Sequence, residues 1–95
     1  MVVEGDAVTR HDLPTTASIV IGRGLDVAIR VGDPRASARH ARLQVDGPLV
    51  SIEDLESRNG TEVRGERIPP NQPVSLALGE SATLGSAVLL IQRKH

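Results

Sequence analysis

At 95 residues the chain has room for one domain and one core, and its formal net charge of −1 supplies no overall field to draw it onto nucleic acid or a membrane surface. The absence of Phe, Tyr, Trp and Cys excludes an aromatic base-stacking platform, a disulfide framework, a thiolate metal site and a cysteine nucleophile. Apolar residues make up 39% of the chain and leave Val, Ile, Leu and Ala to build the core, so modest stability is expected.

The N-terminal stretch MVVEGDAVTRHD lacks the basic start and apolar run of a signal peptide, and no apolar run approaches membrane-spanning length. The expected location is the cytoplasm, with residues 1–95 forming one domain that stands alone or is a piece of a longer protein. Further along, Ile19 and Ile21 alternate with Ser18 and Val20 before Gly22 and Gly24 break the pattern. An irregular stretch runs from about Arg30 to Arg39 and includes Gly32-Asp33-Pro34; a long loop in a small domain suggests function. Ala41, Leu43 and Val45 form the next period-two segment, followed by the turn signal Asp46-Gly47-Pro48 and by Val50 and Ile52.

After Asn59-Gly60, VRGER reads as a tight hairpin that puts Arg64 where Asn is more comfortable at positive φ. Pro69-Pro70-Asn71 precedes the alternation of Val74, Leu76 and Leu78, and SAVLLIQR near the end is a continuous apolar run short enough for a buried strand. No segment offers a helical stripe. Short strands with turn signals every 8–12 residues indicate an all-β sandwich or barrel.

Charge is unevenly spread. Between Gly22 and Arg42 lie five arginines (Arg23, Arg30, Arg35, Arg39 and Arg42) against Asp26 and Asp33. Arginine suits bidentate phosphate recognition, although a GC-rich genome produces the same bias. His11, His40 and His95 lack metal-ligand spacing, and Asp33, Glu53, Asp54 and Glu56 read as turn and surface carboxylates. Four segments carry the chemistry together: IGRG at 21–24, DPRASARH at 33–40, DLESRNGT at 54–61 and VRGERI at 63–68. Taken singly, Ser37 with His40 is as well explained by a capping pair, and Asn59-Gly60 by an ordinary turn.

In this order and spacing the segments resemble the forkhead-associated (FHA) domain, over about residues 19–91. The resemblance implies an all-β, two-sheet β-sandwich of about eleven short strands (FHA/SMAD-like), with binding loops at one end. It implies a non-catalytic module that binds phosphothreonine peptides. Arg23 matches the arginine that reaches the phosphate, and Ser37 the serine whose hydroxyl and backbone N–H contact it. Asn59 matches the asparagine that holds the peptide main chain. Gly22, His40 and Gly60 match positions that shape the loops, and Ser57 is expected to brace its turn. Arg35 falls where some members read the third residue after the phosphothreonine, Arg58 is expected to point toward phosphate or peptide, and Arg39 is a weaker candidate on the same surface.

The chemistry is coherent on physical grounds. A phosphothreonine carries about −1.5 to −2 charges and three acceptor oxygens. An arginine fork, a hydroxyl and backbone N–H groups on loops of a rigid sheet supply matching donors. The expected partners are a phosphothreonine-containing protein or peptide, or a phosphorylated segment of the same chain, and an upstream Ser/Thr kinase. No cofactor, metal, membrane or direct nucleic-acid contact is expected. Similar domains serve as input modules of bacterial transcriptional regulators.

The chain also departs from the family pattern. Ala38 stands where many members have a polar residue, and Arg39 beside it would face the other way on an extended strand. Glu62 and Arg64 replace the more usual aromatic and asparagine. These changes motivate the alternative of a degenerate FHA domain that binds protein without phosphate. A hydrolase built on Ser37 and His40 is disfavoured, because no nucleophile elbow surrounds Ser37.

Overall fold

A computed structural model describes residues 2–4, 7–9, 16–77 and 79–90, the first two segments as backbone only. Leu78, residues 91–93 of the apolar run, His11 and His95 therefore lie outside the described residues. The strands in chain order are β1 (Val2–Glu4), β2 (Ala7–Thr9), β3 (Thr16–Gly22), β4 (Ile29–Arg30), β5 (Ala41–Asp46), β6 (Leu49–Asp54), β7 (Thr61–Val63), β8 (Glu66–Arg67), β9 (Val74–Ser75), β10 (Ser81–Leu84) and β11 (Ala87–Leu90). They form two sheets, β2-β1-β11-β10-β7-β8 and β4-β3-β5-β6-β9. The chain is thus an all-β sandwich, and the described residues contain no helix.

Period-two patterning explains why these segments become strands with one face inward. In β5, Ala41, Leu43 and Val45 are buried while Gln44 and Asp46 are exposed, and β6 buries Val50 and Ile52. Leu43 sits opposite Ile19 on one side and Ile52 on the other, so the middle of the five-stranded sheet presents one aliphatic layer. The opposing sheet contributes Val63, Ala82, Leu84, Ala87 and Leu89. The apolar run at β11 does not vanish into the core as its composition suggests. Ala87 and Leu89 are buried and Val88 and Leu90 only half-buried, because a strand in a two-layer sandwich has one inner face.

The hairpin turns follow their residues. Arg64 and Gly65 take φ of 53° and 79°, the two successive positive values of a type I′ turn. Arg64 holds that conformation with help from afar: its guanidinium donates to both Glu80 oxygens at 3.0 and 3.1 Å and to the Ser75 carbonyl at 3.2 Å. The residue that replaces the usual asparagine is thus used to tie the β7–β8 turn to the β9–β10 connection. The Ala77 N–H, then Arg64, hold the Glu80 carboxyl below its ordinary range. The strand alternation expected through Val74, Leu76 and Leu78 is shorter than its pattern: β9 ends at Ser75, while Leu76 is buried and its N–H still donates to the Val50 carbonyl at 2.9 Å.

Leu43 is fully buried without an aromatic neighbour to close around a void. Leu43→Ala is expected to cost about 2–5 kcal/mol. Urea unfolding monitored by far-ultraviolet circular dichroism measures it, and a loss below about 1 kcal/mol would mean that the aliphatic layer collapses to fill the space.

Candidate functional site

Three connections meet at one end of the sandwich: β3–β4 (23–28), β4–β5 (31–40) and β6–β7 (55–60). The middle one organises the other two. Arg23 N–H donates to the Ser37 carbonyl at 2.9 Å and Gly24 N–H to the Ala38 carbonyl at 3.0 Å. His40 N–H donates to the Ile21 carbonyl at 2.8 Å and Val31 N–H to the Gly22 carbonyl at 2.8 Å. Gly22 makes this closeness possible. A Cβ at this position would lie 2.2 Å from the Ala38 oxygen and 2.8 Å from the Ser37 oxygen, both backbone atoms with nowhere to go. Gly22 is therefore a position where backbone from the second loop comes too close for a side chain.

His40 is fully buried and bonds through both ring nitrogens. Its Nδ1 accepts the Ser37 N–H at 3.1 Å, which places the ring proton on Nε2, and Nε2 donates to the Gly60 carbonyl at 2.8 Å. The imidazole is a cross-brace between the second and third loops. No ring nitrogen is left to accept a proton from the Ser37 hydroxyl, so the two residues are not arranged as a nucleophile and its base. The same bond corrects the expectation that the Ser37 N–H meets phosphate, because that donor is spent on His40.

The third loop is held by a second buried group. Asp54 accepts from the Ser57 N–H at 3.1 Å, from the Ser57 hydroxyl and from the Thr61 hydroxyl at 2.8 Å. Ser57 and Thr61 are buried with it. Ser57 is bonded within the turn to Asp54, which takes donors from both Ser57 and Thr61 and is buried rather than at the surface. Gly60 follows at φ 79°, and its missing Cβ leaves room for the Arg67 side chain: a Cβ there would lie 2.3 Å from Arg67 Nε.

The remaining candidates lie above this frame. Arg58 N–H donates to Ser37 Oγ at 3.0 Å, and Asn59 Nδ2 donates to the Arg35 carbonyl at 2.7 Å. Ser37 Oγ so acts as an acceptor inside the protein and keeps its own proton to give outward. Asn59 retains its amide oxygen and one N–H. The side chains of Arg23, Arg35 and Arg58 are exposed and make no ion pair with another described residue. Arg39 differs, since it pairs with Asp26 at 3.1 Å with both groups largely in solvent. Among the described residues no three His, Asp or Glu side chains come together to hold a metal, and no helix is long and apolar enough to cross a membrane. Sequence reasoning missed Arg67, which lies in the quoted 63–68 segment but arrives beside Gly60 only because the β7–β8 hairpin turns the chain back.

The second loop has one further tether. Asp33 accepts from the N–H and hydroxyl of Ser86, in the β10–β11 turn, and from the Arg35 N–H at 2.9 Å. The Ser86 hydroxyl, then the Arg35 N–H, hold the Asp33 carboxyl down to about 2 from 3.8.

Two outcomes follow from this frame. Gly22→Ala is expected to cost about 1–3 kcal/mol in chemical unfolding, because backbone must move to admit the methyl. For Asp33, a folded value below the unfolded one means that its contribution is complete above the ordinary value of 3.8 and is lost as pH falls toward about 2. Asp33→Asn should therefore lose less stability than the native chain between pH 4 and pH 2, read from denaturant midpoints. Parallel losses would remove Asp33 from the acid limb.

Comparison with known proteins places this geometry. The FHA domain family pattern matches residues 19–85. FhaA of Mycobacterium tuberculosis is 36% identical over 75 residues, covering 79% of this chain and 14% of FhaA; the chain spans about half the length or less of the mycobacterial relatives it matches. The FHA domain of CT664 from Chlamydia trachomatis superposes with a TM-score of 0.89 at 25% identity, covering 99% of this chain and 94% of that one. A domain solved in work on phosphothreonine-dependent FHA domain interactions superposes with a TM-score of 0.82 at 30% identity, covering 99% and 95%. The match of Ile19 to Gly85, which carries Arg23, Ser37, His40, Asn59 and Gly60 in the family order, makes this chain a member of the FHA domain family.

Proposed function

We propose that this chain is a phosphothreonine-reading module that binds a phosphorylated partner protein, or a phosphorylated segment of its own chain, downstream of a Ser/Thr kinase in the cytoplasm. One observation carries the reading. The exposed Arg23 guanidinium, without an acidic partner among the described residues, stands on a loop bonded backbone to backbone to the loop that presents the Ser37 hydroxyl. A dianion with three acceptor oxygens satisfies both at once.

Each remaining group has a part. Arg23 takes two phosphate oxygens through its fork, and the Ser37 hydroxyl donates to a third. The Ser37 N–H is committed to His40, so the nearby exposed backbone donor is the Ala38 N–H, which has no partner among the described residues. An alanine serves here because the backbone N–H, and no side chain, does the work. Arg58 adds charge from the third loop. Asn59, already fastened to Arg35, holds the peptide main chain with its free amide atoms. Arg35 faces the residues downstream of the phosphothreonine. Arg39 is the weakest of these groups because Asp26 competes for it. Context within a longer protein, such as the input domain of a bacterial transcriptional regulator, is consistent with relatives much longer than this chain.

Calorimetric titration of matched threonine and phosphothreonine peptides tests the reading. Binding should require the phosphate, and Arg23→Ala should weaken it at least about tenfold, the loss of a charged hydrogen-bonded pair, with unchanged thermal unfolding. Equal affinity for both peptides would favour phosphate-independent protein binding instead. Retained phosphopeptide binding in the variant would remove Arg23 from the site.

A further inference from the structure

The eight arginines among the described residues fall into two groups. Arg39, Arg42 and Arg64 each have a carboxylate within 4 Å: Asp26 at 3.1 Å, Glu53 at 3.9 Å and Glu80 at 3.0 Å. Arg23, Arg30, Arg35, Arg58 and Arg67 have none within that distance among the described residues. Arg30 closes the ring between the first two loops by donating through Nε to the Arg23 carbonyl at 3.3 Å, and Arg35 lends its charge to Asp33. Arg67 is the one without a role in the loops or in the phosphate reading.

Its placement is specific. Arg67 ends β8 and sits directly across the ladder from Glu62 on β7. Cross-strand neighbours of opposite charge ordinarily pair. Here they do not come within 4 Å, and the exposed guanidinium is laid over Gly60, where a Cβ would lie 2.3 Å from Nε and 2.8 Å from Cζ. Gly60 is the residue after Asn59, and its carbonyl is clamped by His40, so the surface under the guanidinium is fixed. The acids beside it, Glu62 across the ladder and Glu66 next in the chain, are both exposed.

We propose that Arg67 is a specificity-determining residue that reads an acidic side chain flanking the phosphothreonine, on the part of the ligand that passes Asn59 and crosses Gly60. This rests on the phosphothreonine reading of the site. The chemistry is an exposed guanidinium meeting a ligand carboxylate beside a rigid loop, with Glu62 as the weaker, tethered alternative.

The test uses fluorescein-labelled phosphothreonine peptides in three forms: neutral flanks, Asp and Glu on the N-terminal side only, and Asp and Glu on the C-terminal side only. Anisotropy at low salt should show about a threefold to fivefold advantage for one acidic form in the native chain. Arg67→Gln should abolish that advantage while leaving the neutral peptide within about twofold, and Arg67→Lys should restore part of it. Arg67→Glu should instead favour a peptide with lysine on that same side, an inversion that a merely structural role for Arg67 would not produce. Loss of all three peptides in parallel, or an acidic advantage that survives Arg67→Gln, overturns the proposal. Failure of the native chain to bind even the neutral phosphopeptide overturns the phosphothreonine reading and this inference with it, whereas neutral phosphopeptide binding with no advantage for either acidic form in the native chain overturns this inference alone.

Discussion

The site depends on the placement of two buried polar side chains, His40 and Asp54, which join the backbone bonds between the first two loops and the Asp33 tether in holding the loops in place. A core without aromatics offers no large ring to wedge loops apart or pin them down. Hydrogen bonds to buried groups do that work, and they are directional where aliphatic packing is not. His40 reaches Ser37 in one loop and Gly60 in another; Asp54 gathers Ser57 and Thr61 within one. Among the described residues no buried side-chain polar atom lacks a partner, so the network carries no unpaired group that would favour an alternative loop arrangement.

That arrangement has a chemical consequence. Groups turned inward are already satisfied, and groups left outward are the ones that a ligand must satisfy. Ser37 shows the division within a single residue: its N–H goes to His40, its oxygen accepts from Arg58, and its hydroxyl proton remains. Asn59 divides in the same way between Arg35 and solvent. Preorganisation of this kind lowers the entropy lost on binding, because the donors are fixed before the ligand arrives. A chain with net charge −1 can still leave individual arginines without acidic partners. Among the described residues, acids pair with arginines on the β3–β4 loop flank, the β5–β6 face and the β7–β8 turn, and leave Arg23, Arg35 and Arg58 of the three converging loops without an ion pair.

Much of the sandwich was legible in the sequence, for a physical reason. Period-two burial is a local signal, so β3, β5, β6 and the β7–β8 hairpin stand where Ile19, Leu43, Ile52 and Arg64-Gly65 place them. Two-residue strands such as β4 have no period to read and exist only because Ile29 and Arg30 fall beside Ile21 and Gly22 in parallel register. In the loops, the motif spacing carries no information about how Ser37, His40 and Asp54 are bonded. Ser37 was expected to give its N–H to phosphate, but the hydrogen-bonding capacity of a buried imidazole beside it decides otherwise. Asp54 could be quoted from its motif, yet its three donors become visible only once the turn is folded. Arg67 carries no local signal, since its proximity to Gly60 is a product of strand pairing.

The departures from the family pattern are of two kinds, and the distinction follows from where each side chain finds a partner. Arg64 spends its charge inside the protein, on Glu80 and the Ser75 carbonyl, so its replacement of asparagine is a substitution of one turn support for another. Ala38 gives up a side-chain donor on the exposed second loop, while its carbonyl accepts from Gly24 and holds two loops together. The first change leaves the binding surface untouched. The second leaves the exposed guanidiniums of Arg23 and Arg58 as charged side-chain donors on the loops beside it, and long side chains of this kind have more rotamer entropy to lose than a short fixed donor. Long side chains give reach and charge at the expense of rigidity, so the rigidity of this end lies in the loop frame beneath them, and above all in His40, which ties Ser37 to Gly60.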